Sequence, residues 1–243
     1  MLASEGVAGM SISSSCILGA AMLLAMVAAA SPAAAADCQS SAYPNVDWSE
    51  CNKGMLVLSG SDLSGANLAD TDFSSTDLRD ANLEGANLEK ATLVRASLAG
   101  AKADKASFAK IEAYRTSFAG MSAQGASFAG AESQRADFTG ANLTGVDFQK
   151  AELGRANFSK AVITGTTFPM ANLSRAELRG VTFEGAIDFT DAFLFLARLE
   201  GLDLSKAKGL EQMQIDLACG DAKTKLPAGL KAPATWPCKF EDD

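Results

Sequence analysis

The sequence repeats every five residues from Leu56 to Lys206, and this period constrains the fold more than any other feature. From Ser61 to Gly185 the chain divides without a gap into twenty-five blocks. The third residue is Leu or Phe in twenty of these blocks, and the first is Ala in sixteen. A helix repeats its apolar residues about every 3.6 positions and a strand about every two, so neither fits. The period indicates a repeat architecture, in which each unit buries its apolar side chain against its neighbours.

The blocks resemble the A(D/N)LXX pattern of pentapeptide-repeat proteins, as in ANLEGANLEK (Ala81–Lys90) and ANLSRAELRG (Ala171–Gly180). The resemblance covers about 150 of the 243 residues. It implies an all-β repeat solenoid, a right-handed quadrilateral β-helix with four blocks, or twenty residues, in each coil. The central Leu or Phe and the small first residue are expected to point inward, and the other three outward. The functions of this family are diverse, so the fold by itself implies little about function.

If one coil contains twenty residues, residues twenty positions apart should stack in columns. An arginine column has this spacing: Arg95, Arg115, Arg135, Arg155 and Arg175. An acidic column lies three positions before it: Glu112, Glu132 and Glu152. A looser basic column falls on a neighbouring corner: Lys90, Lys110 and Lys150. Glycines share a further corner, where backbone angles that other residues avoid are available to them: Gly100, Gly120, Gly140 and Gly180.

The central positions vary in size with the same twenty-residue logic. Four blocks have a small central residue: Ala103, Ala113, Ala123 and Ser133. They alternate with four phenylalanines: Phe108, Phe118, Phe128 and Phe138. Small residues should therefore occupy two opposite faces and phenylalanines the other two, which keeps the volume of each cross-section constant. The predicted ladders are Phe108, Phe128, Phe148 and Phe168 on one face, and Phe118, Phe138 and Phe158 on the other.

Both ends of the repeat are predicted to be capped, because an open β-helix end exposes core residues and unpaired strand edges. Residues 37–55, which include Pro44 and Trp48, are assigned to an N-terminal cap, and residues 56–206 to the β-helix. Residues 207–243 are assigned to a C-terminal cap with Trp236. A short helix is predicted in that cap, with an apolar face that packs on the coil and an end near Gly220: Leu210, Met213 and Leu217.

Residues 1–36 are predicted to be a signal peptide. An apolar run at positions 17–30 is short for a membrane span and is followed by Pro32 and small residues typical of a cleavage site. No Lys or Arg precedes the run, so a buried or interfacial helix and a retained membrane anchor are alternatives. Cys16 has no lipobox around it, which argues against a lipoprotein.

The remaining four cysteines flank the repeat in two pairs, and an even count in an exported chain favours disulfides. About seven coils stacked at roughly 4.8 Å would separate the two ends by some 35 Å. A disulfide needs Cα atoms about 5.5 Å apart, so end-to-end pairing is excluded. The predicted bridges are therefore Cys38–Cys51 and Cys219–Cys238.

Composition argues against catalysis, metal binding and nucleic-acid binding. Residues 37–243 carry 28 acidic and 21 basic side chains with the signs interspersed, so there is no basic footprint for nucleic acid. The chain has no histidine, the commonest general base and metal ligand. No nucleophile–base arrangement is visible, and the recurrent Asp and Asn at second positions are typical of turns. We therefore predict no enzymatic activity, no cofactor and no metal.

The arginine column is the candidate site for a partner, because planar guanidinium groups match carboxylates and phosphates. Tyr114, beside Arg115, is a candidate interaction anchor. The alternative is that the acidic column pairs with the arginines and the arrangement is structural. The first functional hypothesis is an exported, periplasmic or extracellular bacterial scaffold that binds a protein or another anionic envelope partner, with no transmembrane segment in the mature chain and a possible homodimer. The second is a DNA-mimicking pentapeptide-repeat protein that acts on DNA gyrase.

Overall fold

A computed structural model of the protein describes residues 36–239, all within the compact unit Ala34–Asp243. The predicted leader lies outside the described residues except for its last residue, Ala36. Parallel β-bridges join second-position residues twenty positions apart, such as Asn67 to Asn87 and Asn87 to Ser107. Each coil therefore consists of four pentapeptide blocks. Within residues 36–239 the strands are single bridges, and the only helix is α1, Gln212–Leu217.

Hydrogen bonds between successive coils fix this register. The N–H of the third residue donates to the second residue of the next coil, as Leu63 does to the Asn82 carbonyl at 2.7 Å. The N–H of the fifth residue donates in the same direction, as Gly65 does to Glu84 at 2.8 Å. The Asn82 N–H donates back to the Ser61 carbonyl at 2.9 Å. The ladder thus accounts for the backbone groups that would otherwise be buried without a partner.

The N–H of the fourth residue uses a side chain instead. The Ser64 N–H donates to Oδ1 of Asp62 at 3.0 Å, and the Thr139 N–H donates to Oδ1 of Asp137 at 3.0 Å. Short polar side chains that accept a backbone bond two residues on form the Asx-turn. This bond explains why Asp and Asn recur at the second position.

These turns make stability depend on pH in acid. The hydrogen bonds from the side chain and the backbone N–H of Arg79 lower the pKa of Asp77 from 3.8 to about 2. Hydrogen bonds from Ser64 likewise lower the pKa of Asp62. Because the folded pKa is depressed, this stabilisation is present above the unfolded value and is lost as pH falls through the folded value. We expect the free energy of unfolding, measured by urea denaturation, to fall steadily between pH 4 and pH 2.

Asp77→Asn is the matched variant for this prediction, because its amide oxygen still accepts the Arg79 N–H but does not titrate. It should reduce the slope of stability against pH between pH 4 and pH 2 relative to the natural chain. An identical slope in the variant would show that the Asp77 turn does not contribute.

The core confirms the predicted phenylalanine ladders. Phe108 and Phe128 stack with ring centroids 4.6 Å apart, and Phe118 and Phe138 stack at 4.9 Å. The two ladders also touch across the coil, since the rings of Phe118 and Phe128 meet edge to face at 5.5 Å. The small central residues between them are fully buried, and the Oγ of Ser133 has no hydrogen-bond partner within residues 36–239. The small faces therefore leave room for aromatic rings that reach across the centre.

At the N-terminal end, the ladder starts earlier than the repeat pattern suggests. The first bridge joins Asp47 to Asn67, so the coil begins inside the segment assigned to the cap. Trp48 and Lys53 occupy the central positions of these early blocks, and both are buried. Because neither is Leu or Phe, the repeat pattern did not include these blocks. The Lys53 Nζ lies 3.6 Å from the Trp48 ring centroid and donates to the Cys38 carbonyl at 2.9 Å. Burial lowers the pKa of Lys53.

At the C-terminal end, helix α1 is present as predicted, but a different face of it packs on the coil. Its buried residues are Gln214 and Ile215, whereas Met213 is 69% exposed. The Gln214 amide donates to the carbonyls of Phe189 and Ala192 at 2.9 and 2.8 Å. The prediction of a Met213 contact was wrong because the end of the coil presents backbone carbonyls as well as apolar side chains, and Gln214 donates to two of them. A polar donor therefore takes the central place in the cap.

Candidate functional site

The arginine column lies at one corner of the coil, which we call the arginine corner. Its members are exposed and occupy the fifth position of their blocks: Arg95, Arg115, Arg135, Arg155 and Arg175. Their backbones belong to the ladder, as where the Arg135 N–H donates to the Gly154 carbonyl at 2.9 Å. The side chains project outward from a corner that the hydrogen-bonded coil holds in place.

Each arginine of the corner has a left-handed backbone. The φ angles of Arg95, Arg115, Arg135, Arg155 and Arg175 lie between 56° and 59°. The glycine corner, with Gly100 at 71° and Gly120 at 64°, has the same conformation. A side chain in this region costs roughly 1 kcal/mol that glycine avoids. The arginine corner therefore keeps long cationic side chains where glycine would suit the backbone better.

The structure does not show the predicted pairing of the acidic column with the arginines. Glu112, Glu132 and Glu152 stack in register, through bridges from each to the next. Within residues 36–239, no ion pair or side-chain hydrogen bond to a carboxylate involves the following four arginines: Arg95, Arg115, Arg135 and Arg155. Glu152 instead accepts a hydrogen bond from the Asn172 amide at 2.8 Å. These four guanidinium groups are thus accessible to an external anion.

Tyr114 contacts the arginine corner from the neighbouring position. The guanidinium carbon of Arg115 lies 5.3 Å from the Tyr114 ring centroid, within the range of a cation–π contact. The Tyr114 side chain is 37% exposed, so one part of it is available to a partner. The structure places this predicted anchor directly against an arginine of the site.

The lysine column differs from the arginine corner. Lys90, Lys110 and Lys150 also have left-handed backbones, with φ between 56° and 59°. The Nζ of Lys110 forms an ion pair with Oε1 of Glu89 at 3.0 Å. Because one of its three charges is already paired, this corner is a weaker candidate for an anionic partner.

The cysteines and acidic residues form no metal centre in the described part of the chain. Cys38 is bonded to Cys51 and Cys219 to Cys238, with Cα separations of 5.4 and 5.5 Å. Among residues 36–239, no cluster of three or more His, Cys, Asp or Glu residues could hold a metal ion.

Two surface features near the C-terminal end were missed by the sequence interpretation. Phe193 and Phe195 point outward and stack with ring centroids 6.2 Å apart. A cavity of about 400 Å³ lies near the point after Gly185 where one extra residue interrupts the five-residue blocks. Phenylalanines at the second and fourth block positions and the extra residue after Gly185 were the signals that could have revealed them.

Comparison with known proteins identifies the family of repeat proteins to which this coil belongs. The family model "Pentapeptide repeats" matches in eight copies over residues 57–93, 77–120, 124–159 and 156–201, more than half of the chain. The chain belongs to the pentapeptide repeat family. Its β-helix fold follows from that membership, and the coil described above provides the register. Comparison of this family member with curated proteins finds no match.

Several solved structures of pentapeptide repeat proteins are similar to this family member. One is HetL, involved in heterocyst differentiation regulation in the cyanobacterium Nostoc, with 24% identity, coverage of 81% of this chain and 91% of HetL, and a TM-score of 0.35. A second is a protein from the thylakoid lumen of Arabidopsis thaliana, with 29% identity and a TM-score of 0.26. The match covers 51% of this chain and 69% of the Arabidopsis chain. A third is QnrB1, a plasmid-mediated fluoroquinolone resistance protein, with 21% identity and a TM-score of 0.31. The match covers 76% of this chain and 92% of the QnrB1 chain.

Proposed function

We propose that this pentapeptide repeat protein is an exported, non-enzymatic scaffold of the bacterial envelope, built on a right-handed quadrilateral β-helix. Its arginine corner binds an acidic segment of a partner protein. The observation that carries this proposal is the set of four exposed guanidinium groups in one column, without carboxylate partners within residues 36–239. An acidic column stands three positions away and forms no ion pair with them in the described residues.

The spacing of the corner favours a polymer with several negative charges. Successive arginines are one coil apart, roughly 4.8 Å along the stack. A single exposed ion pair contributes only about 0–1 kcal/mol, so one carboxylate would bind weakly. Several carboxylates in one segment can contact consecutive arginines in bidentate geometry, and their contributions then act together. Such binding should weaken as salt screens exposed charges.

Export is supported by the disulfides and by the predicted leader. Both cysteine pairs of the described chain are bridged, and disulfides persist in oxidising compartments such as the periplasm. In residues 36–239 no helix has the length and hydrophobicity required to cross a membrane.

The gyrase hypothesis receives less support. A duplex mimic needs a strongly negative surface, whereas this coil carries an exposed arginine corner and a lysine column. An exported protein would also be separated from cytoplasmic gyrase. Cell fractionation together with a supercoiling assay discriminates between the two functions, because cytoplasmic retention with gyrase inhibition would favour the mimic.

The triple variant Arg115→Ala, Arg135→Ala and Arg155→Ala tests the arginine corner. We expect it to bind soluble poly-glutamate about tenfold more weakly than the natural chain at low salt, because three of the aligned cations are absent. The measurement is titration calorimetry at two salt concentrations, with circular dichroism to show that the coil is intact.

A control with the same change of charge removes three lysines from elsewhere on the coil: Lys102→Ala, Lys105→Ala and Lys160→Ala. This control should change the affinity by less than about twofold if the corner is the site. Equal losses in both triple variants would mean that net charge alone determines binding. Unchanged affinity in the arginine variant would show that the corner is structural.

A further inference from the structure

One face of the coil opens between two successive turns, at a place that we call the slot. Its two edges are residues 181–185 and residues 202–206, one coil later. The opening between them is a cavity of about 400 Å³. Cavities that bind ligands in proteins span about 300–1,000 Å³, so the slot is large enough to hold one.

The slot interrupts the ladder of its own face. Below it, the Ile163 N–H donates to the Thr182 carbonyl at 2.9 Å, and above it the Leu204 N–H donates to the Lys225 carbonyl at 2.8 Å. No bridge joins Thr182 to Asp203 within the described chain, although the register would pair them.

Several backbone groups that face the slot have no hydrogen-bond partner in the described residues. Within residues 36–239, the N–H groups of Phe183, Gly185 and Asp203 have no hydrogen-bond acceptor. The carbonyls of Val181 and Asp203 likewise have no donor there. Unpaired donors and acceptors on both edges form the arrangement that a strand normally completes.

An extra residue causes the opening. Bridges below the slot are twenty residues apart, whereas Thr167 pairs with Asp188 and Glu177 with Arg198, twenty-one residues apart. Ala186 interrupts the five-residue blocks at this point. The two faces beside the slot accommodate the additional residue and still form bridges between coils. The face between them does not, and there the two coils stay unpaired.

We propose that the slot binds an extended segment of a partner polypeptide as an added parallel strand. A carbonyl of the segment accepts from the Phe183 N–H, and its next N–H donates to the carbonyl of Val181 or Asp203. The Asp203 N–H donates to a second carbonyl of the segment. Such strand addition derives affinity from the main chain and specificity from alternate side chains.

The lining of the slot defines which segment fits. Val181 and Leu202 are buried at its base and Phe183 is half-buried, so the inward side chain of the segment should be apolar. Lys206 lines the slot, is exposed and has no ion pair within residues 36–239. The segment should therefore place an acidic side chain at that end. This site is separate from the arginine corner and does not depend on it.

The test uses a library of phage-displayed linear heptapeptides selected against the folded protein. We expect enriched peptides with an acidic residue near an apolar one. Their affinity should fall about tenfold or more in a variant that lacks Ala186, because a restored twenty-residue spacing closes the slot. Lys206→Glu changes an exposed side chain and leaves the core intact, and it should also lower the affinity of the selected peptides. Main-chain N-methylation of the peptides should abolish binding, since it removes the donors.

Hydrogen exchange in the protein without peptide provides the complementary measurement. The amides of Phe183, Gly185 and Asp203 should exchange rapidly, whereas the Leu204 amide should be protected, and added peptide should protect Phe183 and Asp203. Protection of all three amides in the free protein would mean that the ladder is closed and would overturn the proposal. Selection of no peptides, or of peptides that bind the variant without Ala186 equally well, would also overturn it.

Discussion

Replacing Phe128 with Ala is expected to lower the free energy of unfolding by about 3–5 kcal/mol. The Phe128 ring contacts four other rings, with centroid distances of 4.6 Å to Phe108, 5.1 Å to Phe148, 5.5 Å to Phe118 and 5.7 Å to Phe138. Their positions are fixed by the ladder, so they cannot move inward to fill the space. Urea denaturation of the purified variant measures the loss.

The matched control is Phe128→Leu, because Leu88 already occupies the same column one coil before Phe108. This smaller change should cost about 1 kcal/mol, since it retains most of the buried volume. If Phe128→Ala were as stable as the natural chain, the aromatic ladders would not support the coil, and the packing scheme would be wrong.

Removal of the Cys219–Cys238 disulfide should have the second large effect. The bridge spans nineteen residues, and closing a loop of that size stabilises a protein by about 3 kcal/mol. It also holds the segment from which the Trp236 indole N–H donates to the Ala218 carbonyl at 2.7 Å. A Cβ on Gly220 would clash with the Trp236 ring, so glycine is required for this contact. The double variant Cys219→Ser and Cys238→Ser should unfold at lower urea concentration.

Tryptophan fluorescence follows this loss, because the environment of one of the two tryptophans, Trp236, depends on the cap. A reductant should destabilise the natural chain more than the double variant, in which only the Cys38–Cys51 bridge is left in the described chain. An unchanged unfolding midpoint in the double variant would show that helix α1 and its Gln214 hydrogen bonds hold the cap without the disulfide.

The sequence predicted the coil and its ladders because each column has a fixed spacing. Phe108 and Phe128 had to stack once the register was twenty. At the ends it predicted helix α1 but not which side chains are buried, because polar side chains there are buried with hydrogen-bond partners. Lys53 occupies a central position, where the cation interacts with Trp48 and a carbonyl, and a hydrophobic pattern cannot anticipate such a residue. Gln214 is buried for a similar reason, since it donates to backbone carbonyls at the end of the coil.

The candidate site was only half predictable. Spacing placed Arg115 and Arg135 in one column, but it could not decide whether Glu112 and Glu132 would pair with them. That choice depends on the direction of each side chain, which column spacing does not fix: Lys110 has the same left-handed backbone as Arg115 and does pair with Glu89. The slot, too, was only partly predictable. Ala186 was visible as an extra residue, but its effect depends on which of the four faces takes up the slack.

The twenty-residue register has a consequence for how the length of such a protein can change. Residues 121–140 contribute four complete blocks, and their hydrogen-bonding pattern is the same as that of the coils before and after them. Loss or duplication of such a unit would shorten or lengthen the stack by roughly 4.8 Å, and the caps at both ends would be unchanged. After loss of this unit Arg115 would stand directly below Arg155, with the spacing between charges preserved. The fold therefore acts as a ruler graduated in whole coils, on which the number of charges and the reach of the protein change together.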